Sequence, residues 1–233
     1  SLGAFDLPYI FKSVKEFDDC VDQNWDLINK RMEAESGTIA IAWHSQGFRF
    51  ITNSKQPVAK LADLAPVKIR TPNNPIMIGV YRAWGTDPVP MAMDETFNAL
   101  QQKVVDGQDN PLVSIATNRF YEVQKYFTEV NYQFHPDPFY VNAAWWNGLP
   151  EEYRDIITEC ATKMGEYNDE LIDKNSSAAK QTIVDSGCEV YEPSADELKA
   201  FQTAVQSVYD QCVTEGICTA DEIKEMQDIV AKA

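Results

Sequence analysis

An α/β fold with largely parallel sheets is predicted for this chain on three observations. Short β-branched, apolar segments alternate with amphipathic stretches of about ten residues through the first half. A helical pattern of about thirty-five residues follows Leu149-Pro150, longer than one globular layer normally holds. The 233 residues are 44% hydrophobic and 24% charged, the balance of a folded chain with room for a full core.

Taken in order, residues 1–11 (SLGAFDLPYIF) are apolar and contain a proline where a free terminus is usually polar, so the opening reads as the continuation of a longer protein. Residues 13–32 place Val14, Phe17, Val21, Trp25 and Ile28 at three- and four-residue intervals, the stripe of one amphipathic helix with Ser13 as its cap. Residues 37–43 predict a buried strand, and a turn at 45–47 leads to a second strand over 48–52. A short strand over 68–71 is closed by Pro72, and a helix over 76–84 stops at Gly85. Next come a strand over 89–91, a helix over 94–104 capped by Asp94, and a loop over 106–111. Residues 134–145 alternate aromatic and small side chains around two prolines and predict a strand, or a pair, crossing between lobes. Pro150 opens the long helix and Gly187 lies just past its end. A strand over 188–191 and helices over 195–212 and 220–231 close the chain.

Lys plus Arg number 20 against 36 Asp plus Glu, a formal charge of −16, which repels nucleic-acid phosphates and anionic lipid surfaces. No window approaches the roughly 18 uninterrupted apolar residues of a membrane-spanning helix, so direct membrane insertion is not expected. Zinc spacings, GxSxG elbows and glycine-rich phosphate loops are absent, and His44 and His135 stand isolated. The 106–110 segment lacks the alternating ligands of a calcium loop. Neither a metal, nor a cofactor, nor catalysis is indicated. Of Cys20, Cys160, Cys188, Cys212 and Cys218, only Cys212 and Cys218 are close in sequence; they are a disulfide candidate in an oxidising compartment, or else all five are buried or idle thiols.

Within this acidic chain, Arg49, Arg70 and Asn110 sit at expected strand ends and in a loop. A guanidinium matches a carboxylate with two parallel hydrogen bonds, and an amide adds one more, so together the three would hold a small organic acid. Any one of these arginines taken alone fits a surface ion pair as well.

The series KLADL and KIRTP (60–64 and 68–72), AWGTDPVPM (83–91), ETFNAL (95–100), VVDGQDNP (104–111), FYEVQKY (120–126) and Leu149-Pro150 resembles the substrate-binding proteins of TRAP transporters, the DctP-type family. The resemblance covers nearly the whole chain. It implies a periplasmic, two-lobed α/β receptor of the periplasmic-binding-protein kind, exported with its signal peptide removed. Such a receptor closes on a small organic acid and delivers it to the membrane subunits of an ion-driven permease. By motif, Arg70 resembles the arginine that pairs with the ligand carboxylate, Arg49 a second basic residue that assists, and Asn110 the amide that completes the grip. Met93 falls where an apolar or aromatic side chain covers the ligand; Trp43 and Phe134 are further wall candidates. The implied organisation is one interleaved unit over 1–233, with lobe I at roughly 1–35 and 112–145 and lobe II at roughly 36–111. A lobe-spanning helix over 149–187 and C-terminal helices over 188–233 complete it. Two features depart from the family pattern. The family's first strands and helices, which precede the segment that 1–11 resembles, have no counterpart here, and Pro66 stands where relatives have glycine. The same pocket would also serve a sensing module that passes closure to a signalling partner.

Overall fold

Caps and breakers decide where each element of the computed structural model begins and ends; it describes residues 2–232, so Ser1 and Ala233, the ends of the expected unit, lie outside the described residues. A 3-10 turn at Leu2–Asp6 leads to α1, Val14–Gln23, where the Ser13 hydroxyl accepts from the Glu16 amide. The single helix expected over 13–32 is in fact two. Asn24 leaves helical geometry (φ −125°, ψ 19°), its side-chain amide donates back to the Cys20 carbonyl at 2.8 Å, and α2, Trp25–Ser36, starts afresh. Gly37, left-handed at φ 67°, ends α2.

A second correction concerns β1, Thr38–Asn53, which is one strand of 16 residues rather than two strands and a turn. Gly47 (φ 78°) takes up a bulge instead, with a register slip between Ser45 and Phe48 and another between Ala40 and Ala42. There follow α3 (Leu61–Leu64), β2 (Lys68–Thr71), α4 (Pro75–Ala83), β3 (Asp87–Pro90) and α5 (Met93–Gln101). Asn74 caps α4 by accepting from the Ile76 and Met77 amides, whereas α5 starts after Ala92, so Asp94 lies in its first turn and is not its cap. The loop expected over 106–111 is a buried strand, β4, Gly107–Pro111. After it come α6 (Leu112–Thr117), β5 (Tyr126–Thr128), β6 (Phe134–Asn142) and α7 (Ala143–Asn147), so residues 134–145 form a strand and then a helix. The long helix is α8, Glu151–Asp185, 35 residues as anticipated. It is followed by β7 (Glu189–Tyr191), α9 (Ala195–Ala204), α10 (Gln206–Thr214) and α11 (Ala220–Val230). Val205, wholly buried, separates α9 from α10 where one helix was expected.

The strand order is β3-β2-β4-β1-β5-β7, with β6 also on β1. The sheet is mixed, not largely parallel. β2 is parallel to β3, to which α4 supplies the crossover that a parallel pair requires, and also to β4, while β5 is parallel to β7. β1 instead runs against all its neighbours, pairing with β6 over its first part and with β4 and β5 over its last. It therefore passes from one paired region into the other.

One buried cluster joins Phe17 and Cys20 of α1 with Ile76 and Val80 of α4 and Val208 of α10, so the first 35 residues share a core with part of the 36–111 segment. A second holds Leu100, Ile115, Phe120, Phe127 and Ile183; a third holds Ile41, Ala42, Trp146 and Ala161. Helix α8 touches both of these, through Ile183 and Ala161, and so bridges two parts of the molecule. It lies close on β1 at Gly165, where a Cβ would sit 3.1 Å from the Trp43 carbonyl oxygen. Asp169 accepts from the Ser45 amide at 3.1 Å just beyond. No helix of the described residues is long and apolar enough to cross a membrane. No disulfide joins Cys212 to Cys218 in the structure, and burial with the neighbouring Cys218 pushes the Cys212 thiol pKa up to about 11.

Candidate ligand-binding site

Strand order brings the predicted trio together. β4 lies between β2 and β1, so Arg70 of β2 and Arg49 of β1 flank the strand that carries Asn110. All three line one cavity of about 290 Å³, with Met93, Gln46, Ser114 and His135 among its other walls. Asn110 thus serves from a strand rather than a loop.

The two arginines are in opposite states. Arg49 donates from Nε to Asp109 Oδ2 at 2.7 Å, from Nη2 to the Asp109 carbonyl at 2.8 Å and from Nη1 to His135 Nδ1 at 2.7 Å. Burial alone would lower its pKa, but the Asp109 carboxylate holds it above the usual arginine value. Asp109, fully buried, also accepts from the Tyr132 hydroxyl at 2.6 Å. Arg70 meets only a neutral acceptor: Nε and Nη2 both donate to the Met91 carbonyl, at 3.0 and 2.7 Å. No carboxylate among the described residues forms an ion pair with it, and burial pulls its pKa below the ordinary arginine value.

The neighbouring groups are ordered by their own bonds. Asn110 receives a long bond of 3.4 Å from Arg49 Nη2, donates to Gln108 Oε1, and rests 3.8 Å from the Met93 sulfur. Met93, opening α5, is therefore a wall beside the amide. Phe134 is core, 2% exposed, packed edge-on against Phe11 and Phe48 and tilted against Phe17, and it lines the adjoining cavity of about 240 Å³ that also reaches Arg49 and His135. Trp43 is elsewhere: it stacks on Phe5, meets Phe17 edge to face, and faces the separate cleft between α1 and α8. An aromatic at a strand end looks the same in sequence whether it faces core or pocket, so these two carried no distinguishing mark.

Sequence reasoning missed Asp109, Gln46, Ser114 and His135. Asp109 lay in the supposed loop, Gln46 in the supposed turn, and Ser114 in an unremarked segment 68 residues from its partner Gln46. For Asp109 alone there was a usable sign, a carboxylate adjacent to the amide already chosen and in line with an arginine needing a counter-charge.

Arg49, Arg70 and Asn110 thus meet at one polar cavity, on a mixed sheet bridged by one long helix. The family model for bacterial extracellular solute-binding protein, family 7 (DctP), matches residues 1–215, and the chain belongs to that family. It is similar to the 2,3-diketo-L-gulonate-binding periplasmic protein YiaO of Escherichia coli, 27% identical over 98% of this chain and 69% of that protein. It is also similar to the C4-dicarboxylate-binding periplasmic protein DctP of Rhodobacter capsulatus, 29% identical over 89% of this chain and 62% of that protein. Among solved structures, a TRAP periplasmic solute-binding protein from Chromohalobacter salexigens with bound D-glucuronate superposes with a TM-score of 0.90. It is 29% identical, over 97% of this chain and 75% of that one. The chain thus spans roughly two thirds to three quarters of these proteins' lengths. The expectations of a two-lobed α/β fold, a receptor rather than an enzyme, and a periplasmic setting agree with this family.

Proposed function

We propose that this chain captures a small organic acid by its carboxylate on Arg70 and presents it to the membrane subunits of a TRAP-type permease. The observation that carries the proposal is the uncompensated guanidinium: Arg70 is 3% exposed, has no anionic partner among the described residues, and borders a cavity of about 290 Å³. A buried charge left without a counter-charge is costly, and a ligand carboxylate would offset that cost while filling a fork already oriented by the Met91 carbonyl. Arg49, neutralised by Asp109, acts as a fixed wall and supports Asn110 and His135 rather than serving as a second anion clamp.

Ligand contacts made from both lobes exist only in the closed form, so binding shifts the population toward closure, the state a permease can recognise. β1, which passes from its pairing with β6 into its pairing with β4 and β5, is the connection about which the lobes would move. The test is a thermal-shift screen of organic acids followed by titration calorimetry. A ligand at a hundred times its dissociation constant adds about 2.7 kcal/mol, a rise of roughly 5–11 °C for a chain of this size. Arg70→Ala should abolish that rise; a rise that persists in the variant defeats the assignment.

A further inference from the structure

Helix α8 carries a second surface, away from the cavity. Over its first half Tyr153, Ile156, Cys160, Met164 and Tyr167 point outward: Cys160 is exposed, and the other four are between 39 and 62% exposed. At about 100° per residue these five side chains fall within an arc of about 80°, a stripe about 21 Å long. Ala161 and Gly165, which face the fold, lie outside that arc. The stripe is also symmetric in spacing. Ile156 and Met164 stand four residues either side of Cys160, and the two tyrosines seven. Turned end for end, the stripe meets its own image, Tyr153 against Tyr167, Ile156 against Met164 and Cys160 against Cys160, which is what a two-fold contact between identical surfaces requires.

Charge fixes the direction. Glu159 and Lys163, paired with each other, flank one edge of the stripe. In an antiparallel pair of helices these edges lie on the same side and run in opposite senses, so each ammonium comes beside the other copy's carboxylate as well as its own. In a parallel pair they would lie on opposite sides of the seam and gain nothing. The cysteines agree with this arrangement. Of five, four are buried, and the exposed one sits at the centre of the stripe. An axis separation of about 9–10 Å leaves facing Cα atoms about 4.4–5.4 Å apart, within the span of a disulfide.

We propose that α8 docks antiparallel on α8 of a second copy through this stripe, and that the two Cys160 side chains, facing each other on the two-fold axis, form an intermolecular disulfide in the oxidising periplasm. The oxidant is an external disulfide. One Cys160 thiolate attacks it, releasing one thiol and leaving a mixed disulfide; Cys160 of the second copy then displaces the other thiol. Two protein thiols are oxidised, and the external disulfide is reduced to two thiols that carry away the two protons. A formal charge of −16 on each copy opposes association, so the covalent bond is what holds the pair. The pairing does not involve Arg70 and stands or falls without it.

Oxidised glutathione added to the purified protein tests it. A single covalent dimer should form, revert in dithiothreitol and be absent from Cys160→Ser. Ile156→Glu keeps the thiol but puts a charge in the seam; it should slow dimer formation at least about tenfold and leave the alkylation rate of Cys160 in dilute protein unchanged. Orientation is read with Tyr153→Cys and Tyr167→Cys, each combined with Cys160→Ser: a mixture of the two should cross-link, and neither alone. Thermal melts confirm that each variant is folded. Wild-type protein that stays monomeric and ends as the glutathione adduct leaves the stripe to another occupant and overturns the proposal. A covalent dimer that forms equally fast in Ile156→Glu, or persists in Cys160→Ser, overturns it as well, and self-linking of the Tyr153→Cys variant defeats the antiparallel pairing.

Discussion

Arg49 on β1 and Arg70 on β2 are equally buried, 3% exposed each, and border the same cavity, yet their surroundings differ completely. β4 supplies a carboxylate and a backbone carbonyl, and β6 an imidazole, to one guanidinium, while the β2–β3 side supplies a single carbonyl to the other. The difference separates a cation that belongs to the scaffold from one that awaits a guest. A guanidinium with four of its five N–H groups directed at fixed acceptors contributes order, whereas one with most of its N–H groups free at a cavity contributes affinity.

The largest effect should come from removing the scaffold's counter-charge. Asp109→Asn leaves Arg49 buried beside a neutral amide and should cost about 3–5 kcal/mol, lowering the melting temperature by roughly 6–20 °C; a shift under a degree or two would erase the contrast. Next, Arg70→Ala should weaken the cognate acid by about 30- to several thousandfold. Ligand-free melts of that variant should move far less than those of Asp109→Asn, because no partner carboxylate is stranded. Gly107→Ala acts on both sides at once. β4 meets Asn53 and Ile69 there, and a Cβ would lie 2.2 Å from the Thr52 carbonyl oxygen. A loss of about 1–3 kcal/mol or more is expected in denaturant melts.

The smallest effect concerns pH. Burial alone would raise the Asp137 carboxyl, but hydrogen bonds from His135 and Gln46 hold it below the usual carboxylate range. Its folded pKa is thus lower than its unfolded one, so its contribution is complete above about pH 4 and is lost as the pH falls through the folded value. Asp137→Asn should flatten that part of the acid limb in melts between about pH 5 and 2; an unchanged limb would show that Asp137 holds Gln46 and His135 without stabilising the fold.

Much of this was legible from residue types. Periodicity marked α8 because Pro150 and Gly187 bracket it, and the chemistry of guanidinium and amide singled out Arg49, Arg70 and Asn110 before any geometry. What escaped was decided by long-range packing. Gly107, Gln108, Asp109, Asn110 and Pro111 have the composition of a turn, and become a strand because β1 and β2 pair on either side of it. Asn24 stops a helix that the apolar stripe carries straight through, since the stripe does not register a side chain that bonds to its own backbone. Whether Arg49 faces a ligand or an internal carboxylate depends on Asp109, 60 residues away in the chain, which spacing cannot reveal.

The bulge at Gly47 has one more effect. In an unbroken pleat, side chains an odd number of positions apart point to opposite faces, so Gln46 and Arg49 would be separated by the thickness of the strand. The slip between Ser45 and Phe48 changes that parity, and both side chains reach the same cavity. A one-residue deletion at position 47 would restore regular alternation and turn one of the two away, so the spacing of this short stretch is a determinant of recognition in its own right, separate from the identity of the residues it carries.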